Sequence, residues 1–271
     1  MKAIKIQIKR FGPDSVDDLY AFLKGRPQML EGLTRSYIWE NTQPGYFIGT
    51  YYTLSRVNQH VFSNIFYQFG SKDGNVIEEW YTSGEDYVET IRGIAAMFGP
   101  KVYFNLFQVN TGNELGWPFH SRRLEMTMAT SKVRNVVDDS NDLKDGYMDQ
   151  VAKLLAQEWW TPEQARQFVN ITTSNPNGVS KVILSGTKVA AFGHAAYDEN
   201  QAWINAIYVD SQFRGKGFGR KITEGIAFEL RRRGVETVNL GVGEDNSKAI
   251  KTYREIGFGF TNFVRYRFKV A

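Results

Sequence analysis

Apolar positions in the second half of the chain recur first at helical and then at strand spacing. Val151, Leu154, Leu155 and Trp159 share one face of a helical period and predict a helix. Thr161-Pro162-Glu163-Gln164 follows with the order of a helix start. It has a capping hydroxyl, a proline at the first helical position and a glutamine placed to close a capping box. Apolar runs predict strands over 181–184, 188–196 and 202–209, with a turn at Ser185-Gly186-Thr187 and a loop at Asp198-Glu199-Asn200. Ile222, Ile226 and Leu230 mark one face of the next helix. Gly234 stands where a left-handed cap is wanted, and Arg231, Arg232 and Arg233 suit the negative end of the helix dipole. Residues 235–242 predict a strand, and Asn246 can cap a last helix whose inner face is Ala249, Ile250, Tyr253 and Ile256, ended by Gly257. A strand over 263–270 closes the chain. This succession predicts one mixed α/β sheet.

The first half repeats the ending in weaker form. Ile94-Ala95-Ala96-Met97-Phe98-Gly99 leads into Val102-Tyr103-Phe104-Asn105-Leu106 much as Ile226-Ala227-Phe228 and Gly234 lead into Val238-Asn239-Leu240. Gly116-Trp117 followed by 124–129 likewise parallels Gly257-Phe258 followed by 265–270. The offset is close to half the chain, which points to tandem duplication; chance likeness between two α/β halves is the alternative. The copies differ in two ways. The interval from Asn105 to Trp117 is shorter than that from Asn239 to Phe258 by the positions that hold the last helix, so no helix is expected there. Trp80-Tyr81-Thr82-Ser83-Gly84 also stands where the second half has a glycine-rich turn. The expected domains are 1–135 and 136–271, the first without a phosphate-binding loop.

Composition narrows the chemistry. At 271 residues, 42% of them hydrophobic and 14% aromatic, the chain can build a substantial core and is long enough for two units. The absence of cysteine removes disulfides, thiolate metal sites and a cysteine nucleophile, and no metal is expected. A net charge of +4 is spread over both halves, and the basic clusters Arg122-Arg123 and Arg231-Arg232-Arg233 read as solvated surface, not a nucleic-acid face. No apolar run suggests a membrane span, and the alternating start Met1-Lys2-Ala3-Ile4-Lys5 reads as a strand and not a signal peptide, so a cytoplasmic protein is expected.

The residues with the strongest chemical implication lie between the third predicted strand and the next helix. Ile207-Tyr208-Val209-Asp210-Ser211-Gln212-Phe213-Arg214-Gly215-Lys216-Gly217-Phe218-Gly219-Arg220 reads as strand, tight turn and helix start. A helix N-terminus offers unpaired amides and partial positive charge to an anion. Glycines at 215, 217 and 219 allow positive φ and close approach, while Arg214, Lys216 and Arg220 bring cations. A plain turn is the alternative. The segment is not a Walker loop, since no Gly-Lys-Ser/Thr ends it, nor a dinucleotide fingerprint, since antiparallel strands precede it.

Arg214-Gly215-Lys216-Gly217-Phe218-Gly219 resembles the signature Gln/Arg-x-x-Gly-x-Gly/Ala of the GNAT family of N-acetyltransferases. Asn246-x-x-Ala249-x-x-x-Tyr253-x-x-x-Gly257-Phe258 resembles that family's second cofactor-contact segment at its expected distance. The resemblance covers about 136–271, and the first half looks like a degenerate copy. It implies two tandem GNAT-like domains of mixed α/β (α+β) class, each a mixed, mostly antiparallel sheet flanked by helices. It further implies acetyl-CoA as co-substrate, its pantetheine arm beside Ile207, Tyr208 and Val209 in a wedge between strands. Amides from Arg214 to Arg220 would hold its pyrophosphate, with Asn246 and Ala249 beside the cofactor. Tyr253 matches the family's general acid; a core tyrosine is the structural alternative.

The implied activity is that of an acyltransferase acting on a primary amine of a small molecule or peptide, by direct attack in a ternary complex. The alternative is a non-catalytic acetyl-CoA-binding regulator. Family members often carry a glutamate on the strand before the loop, but Ala202-Trp203-Ile204-Asn205 holds no acid. Glu244 and Asp245 are candidates to act through water, and His194 has a suitable ordinary pKa, but the lone histidine reads as structural. A monomer or homodimer is expected, with acetyl-CoA and the amine as partners.

Overall fold

The structure is a computed structural model that describes residues 6–11, 13–24, 34–43, 51–56, 64–71, 74–82, 87–98, 102–106, 109–133, 140–157 and 160–270. In chain order its elements are β1 (Ile6–Phe11), α1 (Val16–Leu23), α2 (Arg35–Thr42), β2 (Tyr51–Arg56), β3 (Asn64–Ser71), β4 (Gly74–Thr82), α3 (Tyr87–Phe98), β5 (Val102–Leu106), α4 (Val109–Glu114) and β6 (Phe119–Ala129). There follow β7 (Asn141–Asp142), α5 (Asp145–Ala156), α6 (Pro162–Ser174), β8 (Gly178–Ser185), β9 (Lys188–Asp198), β10 (Gln201–Val209), α7 (Phe218–Arg232), β11 (Thr237–Gly243), α8 (Ser247–Ile256) and β12 (Gly259–Lys269). Trp159, Gly99 and Ser83-Gly84, used above, lie outside the described residues, as do the first five residues.

The chain forms two compact units that interleave in sequence. One comprises Met1–Leu30, Asn41–Arg123 and Phe263–Ala271; the other comprises Glu31–Glu40 and Leu124–Asn262. The halves 1–135 and 136–271 therefore each lend a piece to the other unit. The first unit has strands in the order β1-β2-β3-β4-β5-β12, with β4 and β5 parallel and the remaining pairs antiparallel. Ile77, Ile91, Ala95, Val102, Phe104, Leu106 and Phe268 make its core. The second unit has the order β6-β11-β10-β9-β8-β7, with β10 and β11 parallel and β7 to β10 antiparallel. Parallel neighbours require a crossover, and α3 and α7 supply it in the two units.

Local signals act as the sequence suggests. Thr161 accepts from the Gln164 amide at 3.2 Å while Gln164 Oε1 accepts from the Thr161 amide at 3.0 Å, and Pro162 opens α6. Gly234 has φ +82° directly after α7. At Gly193 on β9, a Cβ would lie 2.5 Å from Ile226 Cδ1 and 3.0 Å from both Ile207 Cδ1 and Ile222 Cγ1, so α7 packs closely on the sheet there and a larger residue would displace these side chains.

One expectation is corrected. A helix does stand between Asn105 and Trp117: α4, six residues long. It is too short to show an apolar period, and it fits because Gly112 sits against the Phe268 ring where any Cβ would overlap the ring carbons.

Candidate functional site

The second unit opens where two parallel strands part. The pairing of β10 with β11 runs from Gln201↔Thr237 to Ile204↔Leu240 and stops there, although β10 continues to Val209 and β11 to Gly243. At the same point β10 bulges against β9, with the register shifting between Ile204 and Ala206. The odd residue is Asn205. A bulge re-aims side chains and ends pairing, and here it coincides with the parting of the strands.

β10 leads into the glycine-rich turn. Asp210 accepts from the Gln212 amide at 2.9 Å and starts a single 3-10 turn, Ser211–Phe213. Gly215 and Gly217 then take φ +79° and +80°, and Gly217 caps the N-terminus of α7. The first helical bond is Lys221 N–H to the Gly217 carbonyl at 3.0 Å, so Phe218, Gly219 and Arg220 have no helical carbonyl for their amides. A Cβ at Gly215 or Gly217 would meet nothing within 4 Å, so the turn faces open space. Gly219 differs from expectation: it is helical, not left-handed, and a Cβ there would be an ordinary 3.7 Å from Val209 Cγ2. It lies in the first turn of α7, where helical φ is set by the ladder.

The cations are arranged unequally. Arg214 Nε donates to the Val209 carbonyl at 3.3 Å, and Lys216 Nζ stands 5.1 Å over the Phe213 ring. Arg220 is held by two carboxylates, with Nε donating to Glu224 at 2.9 Å and Nη1 lying 3.5 Å from Glu255.

Across the wedge, Asn246 caps α8 by accepting from the Ala249 amide at 3.1 Å. Ala249 and Tyr253 follow on the same helical face. They pack against the core cluster that also receives Ile207, Val209 and Phe218. The Tyr253 ring is half-buried, edge-on to Phe258 at 5.9 Å. Tyr208 points to the other face, its ring 6.1 Å from Trp160. Glu244 and Asp245 are exposed in the turn before α8.

On the Tyr208 face lies a buried polar network absent from the sequence reading. Glu40, from α2, is fully buried. Its Oε1 accepts from Asn175 Nδ2 at 2.6 Å and lies 2.7 Å from His194 Nε2; its Oε2 accepts from Asn205 Nδ2 at 2.9 Å. His194 Nδ1 is 2.8 Å from the Ser180 hydroxyl. With the carboxylate accepting, Nε2 of His194 is the donor toward Glu40. α2 is further held by Ser36, whose amide donates to Asp198 at 2.9 Å and whose hydroxyl meets Asn175. Burial pushes the Asp198 carboxyl up to about 6, although the Ser36 and Arg35 amides and the Arg35 charge pull it down. The signal for this network in the sequence is His194 itself, a single polar residue in the buried run from Val189 to Ala196.

No helix among the described residues is long and apolar enough to cross a membrane, and no cluster of three or more His, Asp or Glu there has the placement to hold a metal ion.

Residues 143–258 match the Acetyltransferase (GNAT) family. The mycothiol acetyltransferase of Corynebacterium urealyticum is 30% identical over 122 residues, covering 39% of this chain and 36% of that protein. The [ribosomal protein bS18]-alanine N-acetyltransferase of Escherichia coli K12 is 37% identical over 71 residues, 26% of this chain and 48% of that one. The chain thus spans half or less of these relatives' length. Among solved structures, a tandem GNAT protein from the clavulanic acid biosynthesis pathway shares the fold at TM-score 0.64 with 13% identity, covering 97% of this chain and 98% of that one. An acetyltransferase of the GNAT family from Colwellia psychrerythraea does so at 0.62 with 15% identity, covering 98% and 100%.

Proposed function

We propose, from the match of residues 143–258 to the GNAT family of acetyltransferases, that the protein moves an acetyl group from acetyl-CoA to a primary amine. The observation that carries this reading is the pair of left-handed glycines at the start of α7, open above and followed by three amides without helical partners. Such a turn suits a diphosphate, since amides without helical partners at a helix N-terminus are available to an anion and nothing crowds the two glycines. Arg214 and Lys216 add positive charge at its rim. Beyond Ile204 the edge of β10 no longer pairs with β11, so backbone groups at Ile207 and Val209 suit the amides of a pantetheine arm. Asn246 and Ala249 would flank the same arm from α8.

The bound co-substrate supplies an activated acetyl thioester. The amine lone pair forms the new C–N bond, the C–S bond breaks, and the phenol of Tyr253 donates its proton to the departing sulfur. The proton lost by the amine goes to water, and water returns a proton to the Tyr253 phenolate. With no cysteine in the chain, an acetyl-cysteine intermediate has no carrier, and attack within a ternary complex is the direct route. The names of the two relatives suggest a small-molecule amine or a peptide terminus as acceptor.

Calorimetric titration of the full chain with coenzyme A tests the cradle, and thiol release from acetyl-CoA with a panel of amines tests transfer. Saturable binding with amine-dependent release is expected. No binding overturns the reading; binding without transfer to any amine replaces it with an acetyl-CoA-binding regulator.

A further inference from the structure

We propose that Asn205 is the residue that receives the acceptor amine, through its side-chain carbonyl oxygen, and that Glu40 is the positioning residue that turns that oxygen toward the substrate. The inference rests on the acetyltransferase reading and adds to it the place of the amine. Asn205 is the first residue of β10 beyond the last parallel pair, Ile204↔Leu240, and it occupies the bulge. It therefore stands where the wedge begins. Its amide is not free to choose an orientation. Glu40 Oε2, 2.9 Å away, is a pure acceptor and takes Nδ2, which leaves Oδ1 as the group on the other side. Oδ1 is buried and has no hydrogen-bond partner among the described residues. Buried acceptors in folded proteins are nearly always matched, so an unmatched one on the first residue past the last β10–β11 pair calls for a donor that the described residues do not supply. An amine N–H is such a donor.

Glu40 is itself locked. Its Oε1 takes Asn175 Nδ2 and the His194 ring, and Ser180 fixes that ring from behind. All these residues lie in one compact unit, although Glu40 comes from a segment more than 130 positions from Asn175. The arrangement answers the absence of an acid on β10. The strand presents a neutral acceptor, and the carboxylate stands one residue behind it, out of contact with substrate. Asn205 orients an amine and takes no proton from it.

The test exploits amide geometry. In Glu40→Gln the new side-chain oxygen can keep Asn175 and His194, while the new NH2 group faces Asn205 and forces its amide to flip, turning a donor toward the wedge. In the double variant E40Q/N205D the amide introduced at position 40 donates to one oxygen of the carboxylate introduced at position 205, and the other oxygen is again an acceptor. Full-length variants are titrated with coenzyme A and assayed with acetyl-CoA and three amine probes: alanine amide, a short alanine-initiated peptide and glucosamine. We expect Asn205→Ala and Glu40→Gln to raise the amine KM by roughly tenfold to a hundredfold, in line with loss of one hydrogen bond to a polar substrate group, with coenzyme A affinity unchanged. The double variant is expected to return the amine KM to within about threefold of the wild type. If Asn205→Ala lowers the melting temperature but leaves the amine KM unchanged, Oδ1 serves a structural water and the assignment is overturned. If the double variant is no better than Glu40→Gln, the positioning role of Glu40 falls. If the wild type binds coenzyme A yet acetylates none of the probes, this assignment and the transfer reading fall together, whereas normal transfer with an unaltered Asn205→Ala enzyme sinks this assignment alone.

Discussion

Two strand–helix–strand segments, β4-α3-β5 and β10-α7-β11, are built on the same plan and equipped differently. Each pairs its strands in parallel over four positions, Asn75↔Val102 to Glu78↔Asn105 in one and Gln201↔Thr237 to Ile204↔Leu240 in the other. In each the leading strand continues past the last pair, to Thr82 and to Val209. The parting of strands is thus a property of the repeated frame and does not by itself make a site. The helix that follows the second strand makes the difference. In the first unit α4 has six residues and presses Gly112 onto Phe268. In the second, α8 has ten residues, is capped by Asn246, and offers Ala249 and Tyr253 beside the Ile207–Val209 edge. The repeated asparagines have diverged too. Asn105 accepts from Arg267 Nε at 2.7 Å, whereas Asn239 donates to the Ala202 carbonyl at 3.2 Å. The two segments share a frame, and the difference between them lies in what stands at the ends of its elements.

The sharpest way to break this comparison is Gly217→Asp. It places a Cβ at φ +80° and a negative charge among the amides of α7. Calorimetry should show coenzyme A affinity falling by about a hundredfold or more, and equal binding would reduce the second unit's turn to the status of a plain loop. Next in size is Tyr253→Phe. Turnover should fall by roughly a hundredfold, the low end of what a positioned proton donor contributes, with coenzyme A affinity unchanged; unaltered kcat would make Tyr253 a core residue like those of α3. Gly112→Ala tests the first unit. Urea unfolding should lose about 1–3 kcal/mol through overpacking on Phe268, while coenzyme A affinity in the folded protein stays constant.

The smallest effect concerns the α2 segment that the second unit gains from the first half. Asp198 titrates near 6 in the folded protein against an ordinary 3.8, because burial disfavours its charge. A raised carboxyl pKa means that ionisation destabilises the fold. The penalty is absent below the ordinary value, grows as pH rises between the two values and is complete above about 6. Asp198→Asn keeps an acceptor for the Ser36 amide without the charge. Its melting temperature relative to the wild type should therefore rise as pH increases from about 4 to about 7; a difference that is flat with pH would show that Asp198 is solvated.

Much of the second unit was legible in the chain because its determinants are close together. The capping box at Thr161 and Gln164, the positive-φ glycines at 215, 217 and 234, and the Asn246 cap each depend on residues within one turn of each other. Strand limits came within a few residues for the same reason: alternation and turn residues are read locally. The helix α4 was missed because six residues hold no period. The interleaving of the two units was invisible because 263–270 and 124–129 are strands of the same pattern, and pattern alone does not choose a neighbour.

By itself, then, the sequence determined the elements, their repeated order and the glycine-rich helix start, since backbone dihedrals and capping bonds are short-range matters. Only the tertiary structure decided which strand each unit received and brought Glu40 to His194 and Asn205, more than 150 positions away. No local rule sees that meeting. A carboxylate on a short polar helix looks like any solvated residue until folding removes its water and three donors replace it.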